Sequence, residues 1–306
     1  MKHFLGVDTS NYTTSLAICN EEGIIEKNCK LLLQVKEGER GLRQSDALFA
    51  HTVNLPVAAK ELGEYKISAV GYSAYPRDNE GSYMPCFLCG KAYAESLGAL
   101  LGLPVYPFSH QRGHIRAALY SSGAQKLLGT EYLAFHLSGG TTEILHVKNG
   151  NIDLIGGTND LTAGQAIDRI GVMLGLKFPC GAELERLSES AATFQKPKIS
   201  VNGLNCNLSG LENLARKQYE LGVSREEIAA YTIEFILASL DKLTENLINE
   251  YPGLPLIYSG GVMSNKRIKS YFTSKYDAYF AAPEFSSDNA AGTALLCFDR
   301  YKKDLL

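Results

Sequence analysis

Two stretches of this chain follow one pattern: DTSNYTTSLAI at residues 8–18 and HLSGGTTEILH at residues 136–146. Each leaves a strand, turns with Ser in second or third place, reaches Thr-Thr, and enters a second strand. They stand 128 residues apart, from 8 to 136. Outward from the first, FLGVD (4–8) has the apolar run of a buried strand ending on a carboxylate, with further strands at Thr14–Cys19 and Ile24–Leu32. Outward from the second, Tyr132–Leu137, Thr141–Val147 and Ile152–Ile155 make another three-stranded meander. Helical spacing follows each. In the first half it covers Leu48–Leu62, Phe87–Leu101 and a helix capped by Ser109 and running through Tyr120, with strands at Ser68–Ser73 and Pro104–Pro107. In the second half it covers Ala163–Leu174, Arg225–Asn249, Lys266–Lys275 and about Asp288–Tyr301, with strands at Leu256–Ser259 and Ala278–Ala281. The recurrence predicts an internal duplication. Two α/β domains, residues 1–122 and 123–306, should face each other across a ligand-binding cleft, with the last helix free to pack back on the N-terminal half.

Composition narrows the field. In 306 residues, 45% are hydrophobic and 21% charged, a globular balance that excludes a disordered tail, a collagen-like chain and a disulfide miniprotein. Thirty basic residues against 33 acidic ones leave a net charge of −3, so there is no basic coat for nucleic acid, although a local patch is not excluded. No apolar run reaches the ~18 residues of a membrane span. Asp8 comes too early for a signal peptide, and the seven scattered cysteines suit a reducing, cytoplasmic setting.

The sharpest chemical motif is His110-Gln111-Arg112-Gly113-His114. Histidines at i and i+4 share one helical face within reach of one metal, although such a pair also arises by chance on a solvated face. Gln111 occupies the place of the glutamate base in the zinc-peptidase motif, and an amide cannot take a proton from water, so peptidase chemistry is excluded. His136, ending a strand before Gly139-Gly140, and Asp288, at the head of the last helix, are the expected further ligands. Taken singly they read as a strand-end histidine and as an N-cap in competition with Ser287. Three imidazoles and a carboxylate suit Fe or Zn better than magnesium.

Nucleotide candidates lie in Ser138-Gly139-Gly140-Thr141-Thr142, in Ser259-Gly260-Gly261 with Asn265 beyond it, and at Gly181. Backbone N–H groups of such turns can approach phosphate, and a helix N-terminus favours anions. Asp168 either accepts from ribose hydroxyls or is an exposed helix carboxylate paired with Arg169 or Lys177. Asp8 and Ser10, the candidate catalytic pair, either touch phosphate or a metal-bound water or pin their own turn. Cys86-Phe87-Leu88-Cys89 cannot close a zinc site alone and favours packing.

Together these residues resemble the TsaD/Gcp family of tRNA threonylcarbamoyltransferases, over essentially the whole chain and in motif order. Gly6–Ser10 is similar to the opening G-[IL]-[DE]-T-S, His110 and His114 to the metal-binding H-x-x-x-H, and Leu137–Thr142 to V-S-G-G-x-T. Ala163–Asp168 is similar to A-G-E-A-F-D with Gln165 for Glu, Ser259–Asn265 to A-G-G-V-x-x-N, and Ser287–Ala291 to T-D-N-A-A. The resemblance implies a duplicated actin/Hsp70-like (ASKHA) fold of two RNase H-like domains. It implies ATP, ADP or an adenylate at Gly139, Gly140, Asp168, Gly181, Gly260 and Asn265, with a metal at His110, His114 and Asp288. Some members of the family place a ligating Tyr where His136 stands. The implied reaction is attack by the exocyclic amine of a tRNA adenosine on a threonylcarbamoyl-adenylate. Three departures set this chain apart. Tyr75-Pro76-Arg77 replaces G-P-G, Leu208–Glu212 replaces F-S-G-L-K, and Asp160-Leu161 replaces a double aspartate. Glu212 for lysine, with the net charge, weakens the expectation of a tRNA backbone contact. The expectation is therefore a metal-dependent, ATP-linked carbamoyl-type transferase, with a divergent paralogue using a non-tRNA acceptor as the alternative. Other readings are a nucleotide-binding partner of a homologous subunit, or a sugar or acid kinase, in which the two histidines have no role.

Overall fold

The computed structural model describes residues 1–10, 12–35, 42–191 and 196–305; Asn11, in the first polar turn, lies outside them. β1 (His3–Asp8) pairs antiparallel with β2 (Thr13–Asn20), and β2 with β3 (Ile25–Leu32). Then come α1 (Gln44–Leu62), β4 (Ile67–Tyr75), α2 (Phe87–Leu101), β5 (Val105–Ser109) and α3 (His110–Ser121). β4 lies parallel to β1, and β5 to β4, giving the order β3-β2-β1-β4-β5. The second meander is β6 (Tyr132–Leu137), β7 (Thr142–Lys148) and β8 (Asn151–Thr158). It continues through α4 (Ala163–Met173), α5 (Gly181–Ser188), β9 (Ser200–Asn202), β10 (Asn205–Asn207), α6 (Ser209–Glu220) and α7 (Arg225–Glu250). β11 (Leu256–Ser259), α8 (Lys266–Lys275), β12 (Ala278–Phe280), the short α9 (Pro283–Ser286) and α10 (Ala291–Asp304) complete the chain. The second sheet has the order β12-β11-β6-β7-β8-β10-β9.

Apart from the β9–β10 hairpin on its edge, the second sheet repeats the first: an antiparallel meander with two parallel strands added beside its first strand. The register repeats too. Asp8 pairs with Ser15, and 128 residues later His136 pairs with Glu143. This is the duplicated actin/Hsp70-like fold.

By its internal contacts the chain divides into two units. One takes in Met1–Val35, the stretch that ends at Ser121, and the segment from Glu284 onward; the other takes in Ser122–Pro283. α10 thus belongs to the first unit. Strand alternation explains why the first sheet is buried on both faces. Leu5, Val7, Leu16, Ile18, Val70 and Tyr72 share one core with Leu55, Ala58 and Leu62 of α1 and Ala94 of α2. Phe4, Ala17, Cys19 and Ala69 share the opposite core with Ala290, Ala294, Leu295 and Phe298. Burying residues such as Leu295 and Phe298 contributes ~1.5–3 kcal/mol each, which holds α10 on this face. The contact is close: a Cβ on Gly6 would lie 2.3 Å from the Ala290 carbonyl oxygen. Every second residue from Phe4 through Gly6 leads to Asp8, so the buried carboxylate emerges on the face that α10 covers.

The second unit has its own core, in which Leu133, Phe135 and Leu137 of β6 meet Ile167 and Ile170 of α4 and Ile236, Leu240 and Leu243 of α7. Ser224 caps α7: its Oγ accepts from the Glu227 N–H and donates to the Glu227 carboxylate. Two features depart from the sequence expectation. The last helix starts at Ala291 rather than Asp288. α5, α6 and the β9–β10 hairpin occupy stretches read as loop or left unassigned. α6 buries only Leu211 and Ala215, too sparse an apolar stripe to signal a helix.

Candidate functional site

α3 begins directly at the end of β5. The Ser109 hydroxyl accepts the Arg112 N–H at 3.2 Å, fixing where the helix starts and hence where the first imidazole points. His110 and His114 are buried one turn apart, with their Nε2 atoms 2.8 Å from each other. Asp288 Oδ1 lies 3.3 Å from His110 Nε2 and 3.2 Å from His114 Nε2. Among the described residues, these three side chains form a possible metal-binding group, with donor atoms all within 4.8 Å of one another. Asp288 does not cap the helix. The cap position is Ala290, which has no side-chain cap; Asn289 instead braces the turn before it, its Oδ1 accepting the Ala291 N–H and its Nδ2 donating to the Phe285 and Ser287 carbonyls. The segment is clamped by Asn289, so the neighbouring carboxylate is released to face the imidazoles.

Asp8 backs the pair. Its Oδ2 lies 2.8 Å from His110 Nδ1 and accepts from Ser73 Oγ, while its Oδ1 accepts from the backbone N–H and hydroxyl of Ser10. With His110 Nδ1–H donating to Asp8, Nε2 is the ring atom left to face Asp288, so Asp8 fixes the tautomer and orientation of the ring. Ser10 spends its proton on Asp8. Both candidate catalytic residues of the first turn therefore support His110.

The charges are coupled. Burial opposes a charged His110, yet Asp8 on one side and Asp288 on the other outweigh it and lift its pKa to about 10. Burial and the His110 charge hold His114 neutral, below the ordinary histidine value. Burial alone would raise the pKa of Asp8, but the His110 charge and the three donors around it keep the carboxyl ionised. Asp288, which burial also opposes, is held far below the carboxylate range by bonds from both imidazoles. Two neutral imidazoles facing each other with lone pairs at 2.8 Å would repel, so a proton or a cation is needed between them. Two nitrogens and one carboxylate oxygen are a donor set of the kind that binds a transition-metal cation.

His136 belongs to the second unit. It ends β6, buried, with Nδ1 3.3 Å from Thr141 Oγ1. The adjoining hairpin is tightly tied. Ser138 N–H donates to the Thr141 carbonyl, Ser138 Oγ accepts from Gly140 and Thr141 N–H, and Thr162 Oγ1 donates to the Gly139 carbonyl. Ala163 N–H donates to Thr142 Oγ1, which fastens the start of α4 to the hairpin. Asp168 on α4 accepts the Cys180 N–H at 2.8 Å, just before Gly181 opens α5. Burial raises the Asp168 pKa despite that bond. It is therefore a partly buried carboxylate bonded to the backbone, not an exposed, ion-paired one. Gly260 and Gly261 lead into a 3₁₀ turn ahead of α8, and Asn265 caps α8 by accepting the Ile268 N–H. In the departing motif, Glu212 pairs with Arg169 at 3.0 Å and with Arg216 at 3.4 Å, and Asp160 accepts the Leu208 and Ser209 N–H groups. No disulfide joins any of the seven cysteines, and Cys89 bonds Thr52 and the Leu48 carbonyl as a packing residue. No helix among the described residues is long and apolar enough to cross a membrane.

Two positions in the expected strand and helix carried no functional role in the sequence: Ser73 on β4 and Thr293 on α10. The available signal was a hydroxyl in an otherwise apolar strand and another in an alanine-rich helix.

A family model described as TsaD, tRNA N6-adenosine threonylcarbamoyltransferase, matches residues 46–295. A protein of that name from Methanopyrus kandleri is 27% identical over 298 residues, covering 94% of this chain and 84% of its own. Another, from Thermosipho melanesiensis, is 28% identical and covers 95% and 92%. Among solved structures, T. kodakarensis HypF matches with a TM-score of 0.66 at 13% identity, over 99% of this chain and 48% of HypF. This chain thus spans about half of HypF, and at that identity the likeness is one of fold.

Proposed function

The chain belongs to the TsaD family, the tRNA N6-adenosine threonylcarbamoyltransferases, and on that premise we propose that it transfers a carbamoyl-type group from an adenylate to the exocyclic amine of a tRNA adenosine. The observation that carries this reading is the meeting of His110, His114 and Asp288, backed by Asp8. These three side chains would hold Zn²⁺ or Fe²⁺. A bound cation of that kind supplies Lewis acidity toward carbonyl and phosphate oxygens.

The chain's own residues do the rest. Asp8 keeps the His110 ring in one tautomer and orientation, and Ser10 keeps Asp8 in place. The Ser138–Thr142 hairpin, Gly181 and the Gly260–Gly261 turn offer backbone N–H groups to the phosphates of ATP, ADP or the adenylate. Asp168, fixed by the Cys180 N–H, offers its remaining oxygen to ribose hydroxyls. Holding donor and acceptor in register removes much of the entropic barrier to attack.

Two measurements test the reading. Purified protein should carry about one Zn or Fe per chain, as expected for a site of this donor set, and a His110→Ala/His114→Ala double variant should carry none. Undiminished metal in that variant removes the site. Incubation with labelled threonine, bicarbonate, ATP, an adenylate-forming enzyme and bulk tRNA should label tRNA. Failure to do so, under conditions where a proven relative labels it, refutes the acceptor.

A further inference from the structure

α10 and α3 come together backbone to backbone. A Cβ on Gly292 would lie 1.8 Å from the Gly113 carbonyl oxygen, so glycine is required where the helices cross. The crossing falls between the two ligand-bearing segments: Gly113 precedes His114 on α3, and Gly292 follows Asp288 by four residues. Beside it lies a line of buried hydroxyls. Ser73 Oγ donates to Asp8 Oδ2 and stands 3.2 Å from Thr293 Oγ1. A serine has one hydroxyl proton, and this one goes to Asp8, so Thr293 is the donor to Ser73. Ser73 and Thr293 are both fully buried. Satisfied bonds inside a protein are directional and cooperative, and they fix positions that packing alone leaves loose.

The geometry points to Ser73 and Thr293 as positioning residues for the metal ligands, an inference that rests on the metal reading above. The line runs from Thr293 on α10 through Ser73 on β4 to Asp8 on β1, and Asp8 meets His110 on α3. It ties the helix that follows Asp288 to the carboxylate that orients His110. The carboxylate ligand and the first imidazole are thereby held to a common frame, although they are 178 positions apart in sequence, from 110 to 288. Ser73→Ala leaves Asp8 Oδ2 with His110 as its remaining partner and breaks the tie to α10. Thr293→Val keeps the shape of the side chain and removes only the donor.

The test is metal affinity and coordination in the full chain, with Zn²⁺ competed against a chromogenic chelator and Co²⁺ as spectroscopic probe. Ser73→Ala should weaken Zn²⁺ binding about tenfold, the usual effect of losing an outer-shell partner, and should alter the visible Co²⁺ bands. Thr293→Val should act in the same direction by a smaller factor, and Thr293→Ser should restore wild-type binding. Thermal unfolding in chelator separates a structural role, which lowers Tm without changing Co²⁺ spectra. Wild-type affinity and spectra in both Ser73→Ala and Thr293→Val overturn the inference and leave the metal site standing. A wild-type chain that binds neither Zn²⁺ nor Co²⁺ overturns the metal reading and this inference with it.

Discussion

Raising the pH should strengthen metal binding by about tenfold per unit through the neutral range, because one proton must leave His110 before a cation can take its place. His110 has its pKa lifted to about 10, while His114 is held neutral by burial and by the charge on His110. Near pH 7 the metal-free cluster therefore carries one proton beyond those of two neutral rings, and it resides on His110. A ligating imidazole must be neutral, so metal binding releases that proton. From pH 6.5 to 8.5 the apparent Kd for Zn²⁺ should fall roughly a hundredfold, about 2.7 kcal/mol at 1.36 kcal/mol per unit. The dependence levels off only as pH passes about 10, where His110 is already neutral. The sign for stability is opposite. A raised histidine pKa stabilises the metal-free fold below the ordinary value, and that contribution fades as pH rises through about 10. Calorimetric titration of Zn²⁺ in buffers of different ionisation enthalpy counts the protons released, and chelator competition at three pH values gives the slope. Asp8→Asn removes the charge that favours the His110 proton and should reduce the count below one. A pH-independent Kd with no proton release in the wild-type chain refutes the assignment of that proton to His110.

Gly292→Ala should destabilise the chain by ~1–3 kcal/mol or more, the cost of overpacking a close contact, seen as a lower urea midpoint; an unchanged midpoint shows that the helix crossing adapts. Glu212→Lys frees Arg169 and Arg216 and adds a cation, so the slope of log affinity for tRNA against log salt should steepen by about 1 or more; an identical slope places this surface away from RNA. Asp168→Asn keeps an acceptor for the Cys180 N–H while removing a carboxylate whose ionisation burial opposes. Thermal stability should hold or rise while ADP affinity, measured by calorimetry, falls about tenfold, the effect of ~1.4 kcal/mol; unchanged affinity removes Asp168 from the nucleotide site.

The duplication was legible because strand period and turn chemistry are local. Thr13-Thr14 and Thr141-Thr142 sit at matching points of two meanders, and the pairings of Asp8 and His136 keep the same spacing. The His110–His114 pair was legible for the same reason, since one helical turn brings i and i+4 together. The role of Asp8 was not. A carboxylate ending a buried strand is compatible with phosphate, metal-bound water or its own turn, and only the start of α3 at Ser109 decides that a histidine ring stands against it. The helix boundary near Asp288 was misplaced because Ser287, Asp288 and Asn289 are all good caps by residue type, yet the cap position falls on Ala290, with Asn289 bracing the turn before it through the Ala291 N–H.

What residue order determined by itself was the alternation of strand, turn and helix, its repetition, and the chemical types present: two imidazoles on one helical face, glycine turns and carboxylates. These follow from interactions between residues a few positions apart, whose geometry is nearly independent of the rest of the chain. The tertiary structure decided which carboxylate meets the imidazoles and which hydroxyls support them. Asp8, Ser73, His110 and the stretch that holds both Asp288 and Thr293 come from four separated parts of the chain. They meet because burying both faces of the first sheet draws α10 back onto β1 and β4. That burial is non-directional, and periodicity alone does not encode which helix covers which face.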